Sequence, residues 1–464
     1  MHAYSWSRPA RTAGTERART VEEVFGLTPE RYAEVPVLDR VPLPGTGITY
    51  VTGYSGTGKS VLLRLFLADH PEAHVPGEVT DDRPLIDLFD LPLPDTLQLL
   101  GQVGLGEAFT YLTPYHRLSD GQRARARLAL AYASGHRLLV IDEFLSTVDR
   151  VSAAVVAYGF QKFCRRNGVS AVVATAHGDL GDQLGPDHTV VLDYNGAKTV
   201  TTGPGIATAP FRDTTVIRPG EPADYESMER FHYMGGLDVP VEAFDMEVHV
   251  AEVNGVVAAA KVLSPPYPRS WERHSVFRDV NEALTVSRRT VVHPVFRSVG
   301  LAGRLCDPAL AARPAVFIRS ALGRFQPFPL SAGYTEVEVD TAQNTELARR
   351  ADELAAGGLK GLGAAERALL RERAVQMLTA EYHQYRDIAG LPALEPPADR
   401  SVRTWFARCV EVMDEERLAT VVKPFPMAGF VSRSSAGVDE TVARAASASA
   451  SESVHVAAQP GVTL

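Results

Sequence analysis

The run "GYSGTGKS", residues 53 to 60, has the residue types that grip phosphate. Its glycines let the backbone wrap an anion, Lys59 brings charge to β and γ phosphates, and Ser60 brings a hydroxyl for Mg²⁺. Gly53, Ser55, Gly56, Thr57, Gly58, Lys59 and Ser60 are therefore the expected nucleotide contacts. "LLVIDE" ends an apolar run in Asp142, where a second Mg²⁺ ligand belongs, and Glu143 beside it can polarise an attacking water. "VVATAH" sets His177 at the tip of another apolar run, pointing where a γ phosphate would lie. In "YHRLSDGQRARARLALAY" (115 to 132), the alternation of Arg and Ala has the period of a strand. Ala, Arg and Leu nevertheless favour helix, no β-branched residue intervenes, and Ser119 suits an N-cap. "LSDGQ" then offers free amides at a helix start, a further anion site. Another candidate lies far downstream in "VVHPVFRSVGLAGRL" (291 to 305). There Arg297-x-x-Gly300-x-Ala302 precedes a helical pattern, a turn and helix start suited to a pyrophosphate.

These residues need elements to place them. Apolar, β-branched runs at 47 to 52, 136 to 142, 170 to 176 and 188 to 194 predict strands, with helical stretches between. That alternation implies a parallel sheet with covered faces. "GPGIATAPFR" (203 to 212) carries two prolines and two glycines without periodicity and reads as a boundary. Beyond it, "TTVIRPGEPADYESMERF" predicts a strand, a turn and an Asp-capped helix. "EVHVAEVNGVVAAAKVL" predicts a hairpin turning at Asn254-Gly255. "LTVSRRTVVH", "AVFIRSAL" and "YTEVEVD" are further strands, and residues 342 to 420 read as helices. From about 432 the Ser/Ala-rich composition cannot bury a core and predicts disorder. The expected organisation is an N-terminal tail (1–40), a nucleotide-binding α/β domain (41–202), a linker (203–212), an α+β domain (213–345), a helical extension (346–431) and a disordered tail (432–464).

The chain has 464 residues, enough for two or three domains. A net charge of −9 and a pI of about 5.8 argue against global steering toward nucleic acid. Three scattered cysteines, Cys164, Cys306 and Cys409, have no metal spacing and suggest no disulfide framework, which fits a reducing cytoplasm. No apolar run is long enough to span a bilayer, so no membrane partner is expected.

Taken in order, residues 45 to 200 resemble the nucleotide-binding domain of the ABC ATPase superfamily. "GYSGTGKS" matches Walker A, "LSDGQ" the signature, "LLVIDE" Walker B, "STVD" the D-loop and "ATAH" the H-loop. The resemblance implies ATP and Mg²⁺ as ligands and a head-to-tail homodimer. In that dimer Ser119, Gly121 and Gln122 of one protomer cover the ATP held by Lys59 of its partner. The stretch from Lys59 to Leu118 is short for a transporter domain, which points toward soluble members of the superfamily.

Residues 214 to 340 resemble the GNAT acyltransferases, on the first strand and helix, the Asn-Gly hairpin, "VVHPVFRSVGLAGRL" and "FPLSAGY". This implies acetyl-CoA or a related acyl-CoA. Val292 would pair with the pantetheine arm. Amides of Arg297, Ser298, Gly300, Leu301 and Ala302 would hold the pyrophosphate, with charge from Arg297. Tyr334 is the candidate for protonating the leaving thiol; His293 and Glu252 are candidate bases. The expectation is an ATPase coupled to acyl transfer, or an ATP-driven clamp whose GNAT-like domain only binds. The acceptor expected is a nucleic-acid base or nucleic-acid-bound amine, so DNA or RNA is an expected partner. Arg117, Arg123, Arg125 and Arg127 offer local positive charge, and "RFHYMGG" (230 to 236) is similar over a few residues to Mom-like GNAT enzymes. A protein or small-molecule amine stays open.

Overall fold

The computed structural model describes residues 2–7, 14–28, 36–194, 198–233, 237, 244–307, 311, 313–339, 363–422 and 428–433. The chain divides into two compact units: Met1–Thr214 with Pro294–Val299, and Thr215–His293 with Gly300–Leu464.

Seven strands build the first unit: β1 (Ala3–Ser7), β2 (Pro36–Pro42), β3 (Ile48–Gly53), β4 (Leu138–Ile141), β5 (Ser170–Thr175), β6 (His188–Leu192) and β7 (Lys198–Thr202). The main sheet has the order β4-β5-β3-β6-β7. All its pairings are parallel except β6–β7. Five consecutive residues of β3, Ile48 to Thr52, are buried, as a strand covered on both faces requires. Val51, Val140, Val172 and Val190 from four strands pack against Leu62, Leu63 and Phe66 of the helix Lys59–Asp69. The expected N-terminal tail is instead partly built in. β1 pairs antiparallel with β2, and Tyr4 is buried in the same core. An aromatic on the inward face of a two-stranded ribbon drives that docking.

Seven more strands form the second unit's sheet: β8 (Thr215–Gly220), β9 (Glu247–Val253), β10 (Val256–Ser264), β11 (Leu284–Val292), β12 (Ala315–Ser320), β13 (Thr335–Val337) and β14 (Ala428–Arg433). Their order is β8-β9-β10-β11-β12-β14-β13. Asn254 and Gly255 both have positive φ at the β9–β10 turn, as the sequence predicts. The helix Pro222–Glu229 is capped by Glu221, not by an aspartate; Asp224 accepts from the Glu221 amide in return. The lone parallel pair, β11–β12, runs only from Leu284–Ser287 against Ala315–Ile318. Beyond it β11 continues to Val292 paired with β10.

The region expected as a purely helical extension is not purely helical. After helices Ala364–Ile388, Ala398–Glu411 and Glu415–Val422, β14 returns between β12 and β13. Tyr382, Tyr385 and Phe406 of these helices share a core with Tyr267, Trp271, Phe277 and Phe317. Ser432 and Arg433, expected in the disordered tail, close β14; residues 434–464 and 340–362 lie outside the described residues.

Candidate active site

β3 delivers its carboxyl end into the turn 53–58. Gly53, Gly56 and Gly58 have φ of 143°, 85° and 93°, values that only glycine adopts without strain. A Cβ on Gly53 would lie 2.1 Å from the Leu192 carbonyl oxygen, so only glycine lets the chain pass this close to β6. Lys59 Nζ donates to the carbonyls of Gly53 and Tyr54, both at 2.7 Å. The lysine therefore closes over its own loop. Burial lowers its pKa, and the nearby Asp142 and Glu143 carboxylates oppose that shift.

Asp142 and Glu143 follow β4 and are exposed. Asp142 Oδ1 accepts from the Glu143 amide at 2.9 Å. Glu143 has φ 51°, an uncommon value for a non-glycine residue. Its carboxylate accepts from Ser146 Oγ at 3.3 Å. Asp149, in the "STVD" run, caps the helix Arg150–Asn167 through the Ser152 amide at 3.0 Å. Arg150 pairs with Asp179 at 2.8 Å. His177 follows β5; its carbonyl accepts from the hydroxyls of Tyr50 and Thr52 on β3. Two strands thus fix the histidine's backbone beside the phosphate loop. The loop's glycine-opened amides, the Ser60 hydroxyl and the Asp142 carboxylate are a chemically fitting donor set for a magnesium-nucleotide.

"LSDGQ" opens the helix Asp120–Ala133, as propensity predicts and alternation does not. Ser119 is its N-cap, in a reciprocal box with Gln122. Three of the arginines expected to offer local positive charge are engaged within their own unit. Arg125 is buried, Arg123 pairs with Asp120, and Arg127 pairs with Glu78 at 3.2 Å.

Sequence reasoning missed Tyr194. It stacks on Tyr54 of the phosphate loop with ring centroids 4.6 Å apart, both rings largely exposed. The two lie 140 positions apart in the chain, and only the β3–β6 pairing brings them together.

The second loop is divided. Val292, Gly300, Leu301 and Ala302 belong to the second unit, whereas Arg297 and Ser298 fold with the first. Gly300 precedes the short helix Leu301–Leu305. Arg297 Nη1 donates to Glu107 Oε2 at 2.6 Å rather than standing ready for a pyrophosphate. Tyr334 is buried with Cys306, Val316, Ile318 and Phe430, and burial raises its pKa. Glu252 is held by Arg218 Nε at 2.8 Å, which also binds Asp224. The His293 ring meets Phe231 edge-on at 4.6 Å. His232 stacks on Tyr233, and burial, with Arg289 nearby, lowers its pKa to about 4, so it stays neutral near pH 7.

Residues 44–158 match the model of an AAA domain family. The chain is 31% identical over 196 residues to the aliphatic sulfonates import ATP-binding protein SsuB of Ralstonia nicotianae, covering 36% of this chain and 67% of that protein. It is 33% identical over 147 residues to the cytochrome c biogenesis ATP-binding export protein CcmA of Novosphingobium aromaticivorans, covering 29% of this chain and 75% of that protein. Among solved structures, CbiO1 of Clostridium perfringens, part of an ABC transporter complex, aligns with 16% identity and a TM-score of 0.31, covering 37% of this chain and 82% of that one. No helix among the described residues is long and apolar enough to cross a membrane. Through its N-terminal unit the chain belongs to the ABC-type ATPases and hydrolyses ATP.

Proposed function

We propose that ATP closes a head-to-tail homodimer of the N-terminal unit and that the second unit transfers an acyl group from acetyl-CoA or a related acyl-CoA to an amine. In the ATPase step Gly53 to Ser60 wrap the phosphates and Lys59 leaves its loop carbonyls to meet them. Ser119, Gly121 and Gln122 of one protomer cover the ATP of its partner. Glu143 orients and deprotonates the attacking water, and His177 meets the γ phosphate. Ser60 and Asp142 would hold Mg²⁺, which supplies positive charge to the β and γ phosphate oxygens.

The observation supporting acyl transfer is the second sheet. Four antiparallel strands lead into a parallel pair, β11–β12, whose ladder stops at Ser287 and Ile318. Where the ladder stops, β11 runs on toward Val292, and an acyl-CoA's pantetheine amides can pair with such an edge. Gly300, Leu301 and Ala302 then offer amides for the pyrophosphate. The resemblance to GNAT enzymes gains support from this order, including a last strand that enters between β12 and β13. Engagement of Arg123, Arg125 and Arg127 by their own unit removes one argument for a nucleic-acid acceptor, so an amine is the acceptor class retained.

A second reading keeps the ATPase and makes the sheet a non-catalytic acyl-CoA-binding module. It is favoured by Tyr334, whose hydroxyl is buried at 5% residue exposure instead of being open to a leaving thiol. The test is thermal stabilisation of the protein by acetyl-CoA, followed by assay of free CoA released with a panel of amines. Stabilisation with release supports transfer, stabilisation without release supports the module, and no stabilisation refutes both.

A further inference from the structure

We infer that Arg297 is a positioning residue for ATP hydrolysis, holding the signature motif through a side-chain relay of Glu107, Thr110, Gln122 and Ser119. Every member of the relay belongs to the N-terminal unit, because Pro294–Val299 folds with it. Arg297 Nη1 donates to Glu107 Oε2 at 2.6 Å, and the two side chains are only 15% and 12% exposed. The same carboxylate oxygen accepts from Thr110 Oγ1 at 3.2 Å. Thr110 Oγ1 in turn accepts from Gln122 Nε2 at 3.4 Å. Gln122 Oε1 accepts from the Ser119 amide at 3.0 Å, and the Gln122 amide donates to Ser119 Oγ at 3.3 Å. Donors and acceptors alternate without conflict along the whole chain. Only one orientation of the Gln122 amide satisfies both its neighbours.

The hexapeptide that carries Arg297 is seated closely. Ser298 has φ 75°, a strained value for serine. Gly104 leaves it space: a Cβ there would lie 2.2 Å from Ser298 Oγ. Lys162 Nζ donates to the Ser298 carbonyl at 3.4 Å, and Phe296 meets Phe211 edge-on at 5.7 Å. Arg125 of the signature helix is buried and donates to the carbonyl of Gly104, the residue that leaves space for Ser298, at 3.2 Å. Glu107 offsets the Arg297 guanidinium where water is scarce. A buried ion pair gives little net stability, but it costs a great deal to break, so it fixes one arrangement over others. Here the arrangement fixed is the start of the helix whose amides face nucleotide.

The inference rests on the reading that Ser119, Gly121 and Gln122 meet ATP across the dimer, and the test separates the two. ATP turnover and the affinity of a fluorescent ATP analogue are measured on the full chain carrying Thr110→Val, Arg297→Gln, Arg297→Lys or Ser119→Arg. Thr110→Val is nearly isosteric and cuts the relay while sparing the ion pair. Thr110→Val and Arg297→Gln should each lower kcat about 10-fold, the loss of one charge-assisted or relayed hydrogen bond, while analogue affinity stays within about 2-fold. Arg297→Lys should recover much of the loss. Wild-type kcat in Thr110→Val, or affinity falling in step with kcat, overturns the relay. Wild-type turnover in Ser119→Arg overturns the reading beneath it. Turnover abolished in Ser119→Arg but normal in Thr110→Val overturns the relay alone.

Discussion

The two glycine-containing loops of this chain look alike in sequence and differ in how they are held. Gly53 to Ser60 forms inside one unit, between a buried parallel strand and an 11-residue helix. Its lysine closes onto the loop's own carbonyls, from which the proposed ATP step would draw it to phosphate. The loop from Arg297 to Ala302 runs into a helix of only five residues, and its arginine is taken by a half-buried glutamate. A phosphate motif is thus two things, an array of amides and a charge free to move to the ligand. The first loop has both within one unit. In the second, the charge of Arg297 is committed to Glu107 of the first unit.

The strongest way to break this contrast is at Glu143. Glu143→Gln should lower kcat for ATP by about 10²–10⁴-fold, the range for loss of a general base, while ATP still binds. Light scattering should then find a dimer in ATP and a monomer without it. A monomer in both conditions would remove the cross-protomer reading. His177→Ala should cut kcat by about 10²-fold and leave ATP affinity nearly unchanged, since a contact made chiefly in the transition state acts on kcat. An effect on affinity alone would make His177 a structural residue whose carbonyl matters more than its ring. For the second loop, Ala302→Glu should weaken acetyl-CoA binding about 10-fold by placing a carboxylate where the pyrophosphate is expected. Calorimetric titration checks this, and an unchanged Kd would remove Ala302 from the site. Tyr4→Ala should cost the N-terminal unit about 2–4 kcal/mol through the cavity left beside Phe66. A melting temperature equal to that of the wild type would show that β1 adds nothing to this core.

Much of the first unit was legible because its chemistry and its elements share short stretches. Strand, loop and helix around Lys59 are contiguous, and so are strand and acids at Asp142. Ser119 and Gln122 signal their helix start locally. What stayed hidden depends on contacts between distant positions. Glu107 meets Arg297 across 190 residues, and nothing near either one announces it. Tyr194 reaches Tyr54 only through strand order. β14 spans the expected helical extension and the expected tail without a signal of its own, because "AGFVSR" is six residues with a glycine, too short for periodicity to speak. Its pairing with β12 and β13 supplies what its own sequence lacks. Tyr334 is the reverse case, since its residue type fits an acid while its surroundings are apolar.

Two loops serving two ligands is the central proposal, and one measurement tests it directly. ATP and acetyl-CoA are each titrated into the full chain, wild type and Lys59→Ala, with each ligand also added in the presence of the other. Lys59→Ala should lose ATP binding and keep acetyl-CoA binding, and neither ligand should displace the other. Displacement of one by the other, or loss of both with Lys59→Ala in a protein that keeps its wild-type melting temperature, would contradict it.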